Sequence, residues 1–326
     1  MRFEVRMSPQ LHTWIYGFFP HDFGQHMRQG GFRPVVFLGH GLMLGTFYCL
    51  AALSALLLWR EALRSGNVAT GWIYAFVVLI GVLVLSKNLG ALIITISFVS
   101  VIVFGGRRLM VYTAVLVASL LILYPALRAS GLIPTSTIVS IAAAINEDRA
   151  GSLEFRLINE DALMARANEK PSFGWGNWGR NQIYNPDTGG LMSVTDGLWI
   201  ILIGIYGWFG YVAHFALLTI AVWFSAFRKS ALGKTLVTPG LMMLLSASLI
   251  DLIPNGWLLA HVWLVAGSLT GAVLRGSAAT PEEVMVASAR SDLAGAAEPG
   301  AGPGWLMQGG SARVARRARQ ATRRPG

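Results

Sequence analysis

The apolar residues of this chain are gathered into long, nearly uncharged runs, and that grouping limits its fold more than any single residue does. About seven such segments occur, near Val35–Trp59, Val68–Leu85, Leu89–Phe104, Leu109–Leu127, Gly197–Phe227, Leu236–Leu252 and Trp257–Leu274. Several approach the ~20 residues that a helix needs to cross the hydrocarbon of a bilayer. The alternating ten-residue strands of a transmembrane β-barrel are absent. Composition agrees: 54% of residues are hydrophobic and 13% charged, against about 25% charged in soluble domains. The fold expected is all-α: a polytopic transmembrane helix bundle of about seven spans, with a large extracytoplasmic loop and a disordered C-terminal tail. Val68–Leu85 and Leu89–Phe104 are parted only by Ser86, Lys87 and Asn88, which allows a tight hairpin or one interrupted unit. Gly197–Phe227 is long enough for its first turns to stand above the membrane.

Charge sets the orientation expected. Arg60 and Arg64, Arg107 and Arg108, Arg228, Lys229 and Lys234, and Arg275 with the tail fall on one side of an alternating bundle, and that side is cytoplasmic by the positive-inside rule. The expected division is an extracytoplasmic segment at 1–34, four spans within 35–127, a periplasmic loop at 128–196 carrying the chemistry, three spans within 197–275 and a basic cytoplasmic tail at 276–326. Asp251–Asn255 and the Lys87 turn join the periplasmic side. Arg2, Arg6, Arg28 and Arg33 are out of place there, and no signal peptide precedes them. The expectation is that earlier helices of a longer protein are missing. Alternatively, these arginines work on the outer face.

The formal charge of +10 does not point to nucleic acid. Arg313, Arg316, Arg317, Arg319, Arg323 and Arg324 lie in the tail, and without those six the charge falls to +4. No nucleic-acid motif accompanies them. The tail is rich in Ala, Gly, Pro, Ser and Arg, which suits either a solvated tail or an anchor to anionic lipid. Cys49, the single cysteine, can form no disulfide within the chain. The six histidines are scattered, no HExxH or CxxC occurs, and no GxSxG elbow supports a Ser–His–Asp site.

The loop at 128–196 is too long for a plain connector and holds eight of the sixteen acidic residues. Residues 145–167 have helical spacing. PSFGWGNWGRNQIYNPDTGG then reads as turns. Trp175, Trp178 and Tyr184 among its glycines suit a sugar face or the aromatic belt of a membrane. Arg33, Lys87, Arg156 and Arg180 are each open to two readings, as anchors or ion-pair partners, or as donors to a phosphate group. Asp196, just ahead of a helix in SVTDGLW, is either a helix cap or a carboxylate able to take a proton from a hydroxyl. His40 is placed within the first helix, as a site residue or as an interhelical hydrogen-bonding group beside Gly41 and Gly45. Gly267 and Gly271 resemble a helix-packing face.

Four segments together resemble the O-antigen polymerase and ligase superfamily of bacterial inner-membrane proteins, over roughly residues 6–275. GGFRPVVFLGHGLMLG resembles its RP…HG approach to a helix, and SKNLGAL its segment between two helices. FRLINEDALMARANEKPSFGWGNWG resembles its loop pattern, and SVTDGLWIILIGIYGWFGYV the helix that follows the loop. Ligases of the family carry a histidine where Asp196 stands, which points to an exopolysaccharide polymerase-like member. The resemblance implies a metal-independent periplasmic glycosyltransferase in the inner membrane, needing no cofactor. It would polymerise or ligate undecaprenyl-diphosphate-linked oligosaccharide in O-antigen or exopolysaccharide biosynthesis. Its partners would be that lipid-linked oligosaccharide, membrane lipids and other polysaccharide-assembly membrane proteins, with no nucleic acid. On this reading Arg156 and Asp196 are catalytic, and Arg33, His40, Lys87, Arg180, Trp175 and Trp178 bind diphosphate or sugar. The alternatives are a transporter or flippase of lipid-linked sugars, or an inactive truncated relative. No internal repeat of the kind transporters show is visible.

Overall fold

A computed structural model describes residues 10–19, 23–28, 31–145, 147–227 and 235–275. The tail at 276–326, the connection bearing Arg228, Lys229 and Lys234, and Arg2 and Arg6 lie outside the described residues. Ten α-helices carry most of the rest. They are α1 (Leu11–Tyr16), α2 (Gly41–Arg64), α3 (Thr70–Leu85), α4 (Leu89–Phe104), α5 (Arg107–Ala129), α6 (Thr135–Ile145), α7 (Glu147–Asn168), α8 (Leu198–Phe227), α9 (Val237–Asp251) and α10 (Ala260–Arg275). A two-residue antiparallel pair, β1 (Met27–Arg28) with β2 (Gly31–Phe32), precedes α2.

Of the seven expected spans, α2, α5 and α8 are long and apolar enough to cross a membrane. The other four, α3, α4, α9 and α10, have 15 or 16 residues. At 1.5 Å per residue they reach about 22–24 Å, short of a ~30 Å hydrocarbon layer. The first apolar run is longer than its helix because Pro34 and Val36, at φ 55°, keep residues 33–40 irregular. His40 is therefore not inside the helix. It is the residue that caps it, its ring nitrogen accepting from the amide of Leu42.

The centre of the bundle is α9, which packs against α2, α4, α5 and α10. It is apolar all round because it is enclosed, with Met242, Met243, Leu245 and Leu249 fully buried. The outer helices point apolar side chains outward instead: Val77, Ile96, Leu116 and Leu217 are all well exposed. Exposed apolar area of this extent suits lipid rather than water. Hydroxyls inside the helices cost little, since Thr95, Thr219, Ser225 and Ser246 each donate to the carbonyl four residues back.

Polar side chains join the helices where their ends need partners. Arg60 donates to the carbonyls of Ile102 and Gly105 at the end of α4, and the neighbouring Glu61 accepts from the amide of Leu236 ahead of α9. A cation at a helix C-terminus and an anion at an N-terminus both suit the helix dipole. At the opposite end of α2, Thr46 donates to Asp251 at 2.8 Å, and Asn255 donates to the other oxygen of that carboxylate. Asp251 is thus a joint between α2 and α9. Gly45 has no side chain because Asn88 fills the space, donating there to the carbonyl of Leu42 and capping α4.

Pro125 lies inside α5. Having no N–H, it leaves the carbonyl of Leu121 without its helical donor. Tyr211 of α8, fully buried, supplies the missing hydrogen bond at 2.5 Å. Tyr211→Phe should therefore strand that carbonyl and destabilise the detergent-solubilised protein by about 1–3 kcal/mol. In a Pro125→Ala background, where the amide of residue 125 can serve Leu121, the same substitution should cost clearly less. Unfolding midpoints of the four proteins of this cycle give the coupling directly.

Candidate functional site

The end of the bundle where α2, α4, α8 and α10 begin carries most of the singled-out polar residues. Two groups form there. The first surrounds the start of α2. The aliphatic stem of Arg33 lies over Gly41, where a Cβ would collide with it. The His40 ring stacks on Trp257, with centroids 5.1 Å apart. Lys87 forms the α3–α4 turn with φ 55°, next to Asn88 and hence beside Leu42. Lys87, far in sequence from Arg33 and His40, is therefore their neighbour at one helix start. The first group adjoins the second through Gly256, which sits between Trp257 and the backbone of Asp196.

The second group is the interface of α7 and α8. Arg156 Nε meets Asp196 Oδ2 at 3.0 Å, with the two side chains 37% and 33% exposed. The pair joins two residues forty positions apart that had been singled out independently. It occupies one nitrogen of Arg156, and a guanidinium carries five N–H donors in a planar fork. Behind the pair lie two residues that sequence reasoning passed over. Glu160 is one helical turn from Arg156 and on the same face of α7. Arg128, at the end of α5, approaches Glu160 at 3.5 Å and donates to Asp161 at 2.7 Å and to the carbonyl of Leu157. The only sequence signal was the four-residue spacing from Arg156 to Glu160. Burial pushes the Glu160 carboxyl up to about 7; the Arg128 charge and hydrogen bonding from the Trp199 indole oppose that, while Asp161 and Asp196 add to it.

Asp196 is held from several sides. Asn159 of α7 accepts from the amide of Val194. Gln182 accepts from both Ser193 and Thr195. The stretch entering α8 is thus fastened to α7 and to the loop. The loop is fastened to α8 by an exchange of backbone hydrogen bonds. α8 is interrupted at Gly207, with φ 69° and ψ −173°. The amides of Trp175 and Gly176 donate to the carbonyls of Gly204 and Ile205 just before the break. The amides of Trp208 and Phe209 just after it donate to Pro171 and Ser172. A Cβ on Gly174 or Gly207 would enter the opposite backbone, so both positions require glycine.

The two tryptophans then have different situations. Trp175 donates from its indole to the carbonyl of Arg166, and its ring carries the Arg166 guanidinium at 3.5 Å and the Lys170 ammonium at 4.4 Å. These are cation–π contacts, and they commit the ring to the loop. Trp178 is 56% exposed. Arg180 is exposed as well, its carbonyl facing Arg166 at 3.5 Å. Gly267, expected to pack against another helix, has open space beside it among the described residues and lies in a groove with Trp263 and Gly271.

Among the described residues, no three His, Cys, Asp or Glu side chains stand together as metal ligands. Comparison with family models, curated proteins and solved structures gives no match.

Two substitutions separate structure from site. Arg128→Met leaves Glu160 buried without its cation and should cost about 3–5 kcal/mol of stability. Arg156→Ala breaks a pair one-third exposed and should cost about 0–1 kcal/mol. Unfolding in detergent distinguishes them. The same measurement against pH tests Glu160. Between its ordinary value of 4.5 and about 7, the folded protein holds a proton that the unfolded chain has released, so stability should fall as pH rises through this window and level off above it. Glu160→Gln should remove that slope.

Proposed function

We propose that this protein is a membrane glycosyltransferase of the O-antigen polymerase and ligase kind. It transfers a sugar chain from undecaprenyl diphosphate to a hydroxyl of a second sugar unit, at the periplasmic end of a helix bundle in the bacterial inner membrane. The bundle spans with α2, α5 and α8, and the shorter α3, α4, α9 and α10 complete seven spans by local thinning of the bilayer. The tail then lies in the cytoplasm.

The observation that carries this reading is the Arg156–Asp196 pair at the rim of the α7–α8 interface. A sugar diphosphate leaves as an anion when its anomeric carbon is attacked, and fixed cations lower that barrier electrostatically. Arg156 keeps N–H donors in reserve for the diphosphate, with Arg33, Lys87 and Arg180 as further cations at the same end. Asp196 accepts the hydrogen bond of the attacking hydroxyl, orients it and takes its proton as the O–H bond breaks. His40 helps place the substrate, and Trp178 offers an exposed ring to a sugar face. The attacking oxygen forms the new bond to the anomeric carbon. The bond to the diphosphate oxygen breaks, and its electron pair leaves with the polyprenyl diphosphate. No nucleotide is required, because the linkage cleaved already holds the needed free energy.

The test is chain extension in vesicles that hold the protein and undecaprenyl-diphosphate-linked oligosaccharide. Arg156→Ala and Asp196→Asn should each reduce extension by about 100-fold or more, the scale of losing a fixed donor, while still inserting and folding. Undiminished extension in both variants would overturn the assignment.

A further inference from the structure

α8 changes character at its break. Before Gly207 it faces protein nearly all round, with Trp199, Ile200, Leu202, Ile203 and Ile205 buried. After the break a stripe turns outward at helical spacing: Phe209, Val212, Leu217, Ile220 and Phe224 are exposed. An outward apolar stripe of this length suits lipid. Unbroken, the 30 residues of α8 would reach about 45 Å, well beyond a ~30 Å hydrocarbon layer. The part after Gly207, Trp208–Phe227, contains no Asp, Glu, Lys or Arg and reaches about 30 Å. The charges of α5 mark the same level. Arg107 and Arg128 stand about 31 Å apart along that helix. Tyr211, one turn past the break in α8, meets α5 at Leu121, about two turns short of Arg128. Gly207 and Arg128 thus lie close to one level.

At that level the loop joins the outward stripe. Phe173 is 73% exposed, and its ring lies against Phe209, 70% exposed, with centroids 5.9 Å apart. Phe173 is held there from both sides. Pro171 and Ser172 accept from the amides of Trp208 and Phe209, and the amide of Trp175 donates to Gly204. Lys170 lies over the Trp175 ring, is exposed, and makes no ion pair among the described residues. An exposed phenyl with a lysine and an indole beside it matches the chemistry of a membrane interface, where acyl chains meet head-group phosphates. We propose that the hydrocarbon edge on the loop side lies at Gly207, and that the loop rests on the bilayer there. Phe173 enters the acyl chains beside Phe209, and Lys170 faces the head-group phosphates. That placement rests on the membrane bundle proposed above and not on its transfer reaction. It divides α8 in two: Trp208–Phe227 spans, and residues 198–206 stand outside the hydrocarbon, enclosed by protein. Asp196, ahead of that segment, is then also outside the hydrocarbon, with the loop between it and the lipid edge.

The experiment measures depth in the full chain, reconstituted in vesicles of phosphatidylcholine and phosphatidylglycerol. Phe173→Cys, Phe209→Cys, Leu217→Cys and Asp187→Cys, each in a Cys49→Ala background, carry a polarity-sensitive fluorophore. Quenching by lipid spin-labelled high on the acyl chain is compared with quenching by aqueous iodide. The labels at 173 and 209 should be quenched several-fold more by the lipid than by iodide. The label at 217 should be blue-shifted and protected from iodide, and the label at 187 should respond to iodide alone. A second readout uses the unsubstituted protein: a phospholipid with a photoreactive group on its acyl chain should attach to the peptides holding Phe173 and Phe209. If the label at 173 behaves like that at 187, or photolabelling reaches Phe209 but not Phe173, the loop does not rest on the bilayer and the proposal is overturned, while the bundle stands. If the label at 209 also behaves like that at 187, the edge is not at Gly207. If the label at 217 lies in water too, α8 is not embedded and the membrane bundle falls with the proposal.

Discussion

A helix broken inside an apolar bundle leaves carbonyls before the break and amides after it without partners, and hydrocarbon supplies none. At Gly207 the chain meets that demand with residues 171–176, which give amides to the carbonyls of Gly204 and Ile205 and take the amides of Trp208 and Phe209. The loop cannot be lifted without breaking four backbone hydrogen bonds. This joint holds the loop against the first turns of α8. Gln182, a few residues on, can then steady Ser193 and Thr195, and Asp196 is delivered to Arg156. The site is rigid because the interrupted helix needs the loop as much as the loop needs the helix.

The bundle's two ends use polar side chains differently. Around Arg60 and Glu61, each charge is spent on the unpaired backbone of a neighbouring helix end. Those contacts are structural. At the opposite end the charges exceed what helix ends require. Arg156 meets Asp196 side chain to side chain, and behind them the buried Arg128 and Glu160 face each other at 3.5 Å. Burying an ion pair has an energetic cost. The proposed chemistry accounts for ion pairs between side chains at this end.

Much of the helical layout was legible in the sequence. The runs at 109–127 and 236–252 predicted α5 and α9 to within two residues, since apolar runs bounded by charge or Pro and Gly mark helices directly. The start of α2 was not legible, because Val35–Leu38 are apolar without being helical, and His40 therefore looked intramembrane. α6 went unread within the long loop. Arg156 and Asp196 were each visible by residue type, but their pairing depends on a loop folding back over forty residues. Glu160 is one of eight acids in the loop and Arg128 marks only where that loop begins, so neither stood out. Their burial is a tertiary fact. The glycines of PSFGWG announced turns, but their partners, the carbonyls of Gly204 and Ile205, lie in a run whose periodicity is helical throughout. A positive φ at Gly207 leaves no trace there.

Transfer from a periplasmic lipid-linked sugar requires the working end of the bundle to face the periplasm. Trp178 is exposed and sits in the loop beside the site, and Cys49 is the single native cysteine. The direct measurement is labelling of Trp178→Cys, in a Cys49→Ala background, by a membrane-impermeant maleimide in intact spheroplasts. Labelling equal to that of lysed cells is expected. Labelling only after lysis would place the loop in the cytoplasm and contradict a transfer from periplasmic lipid-linked sugar.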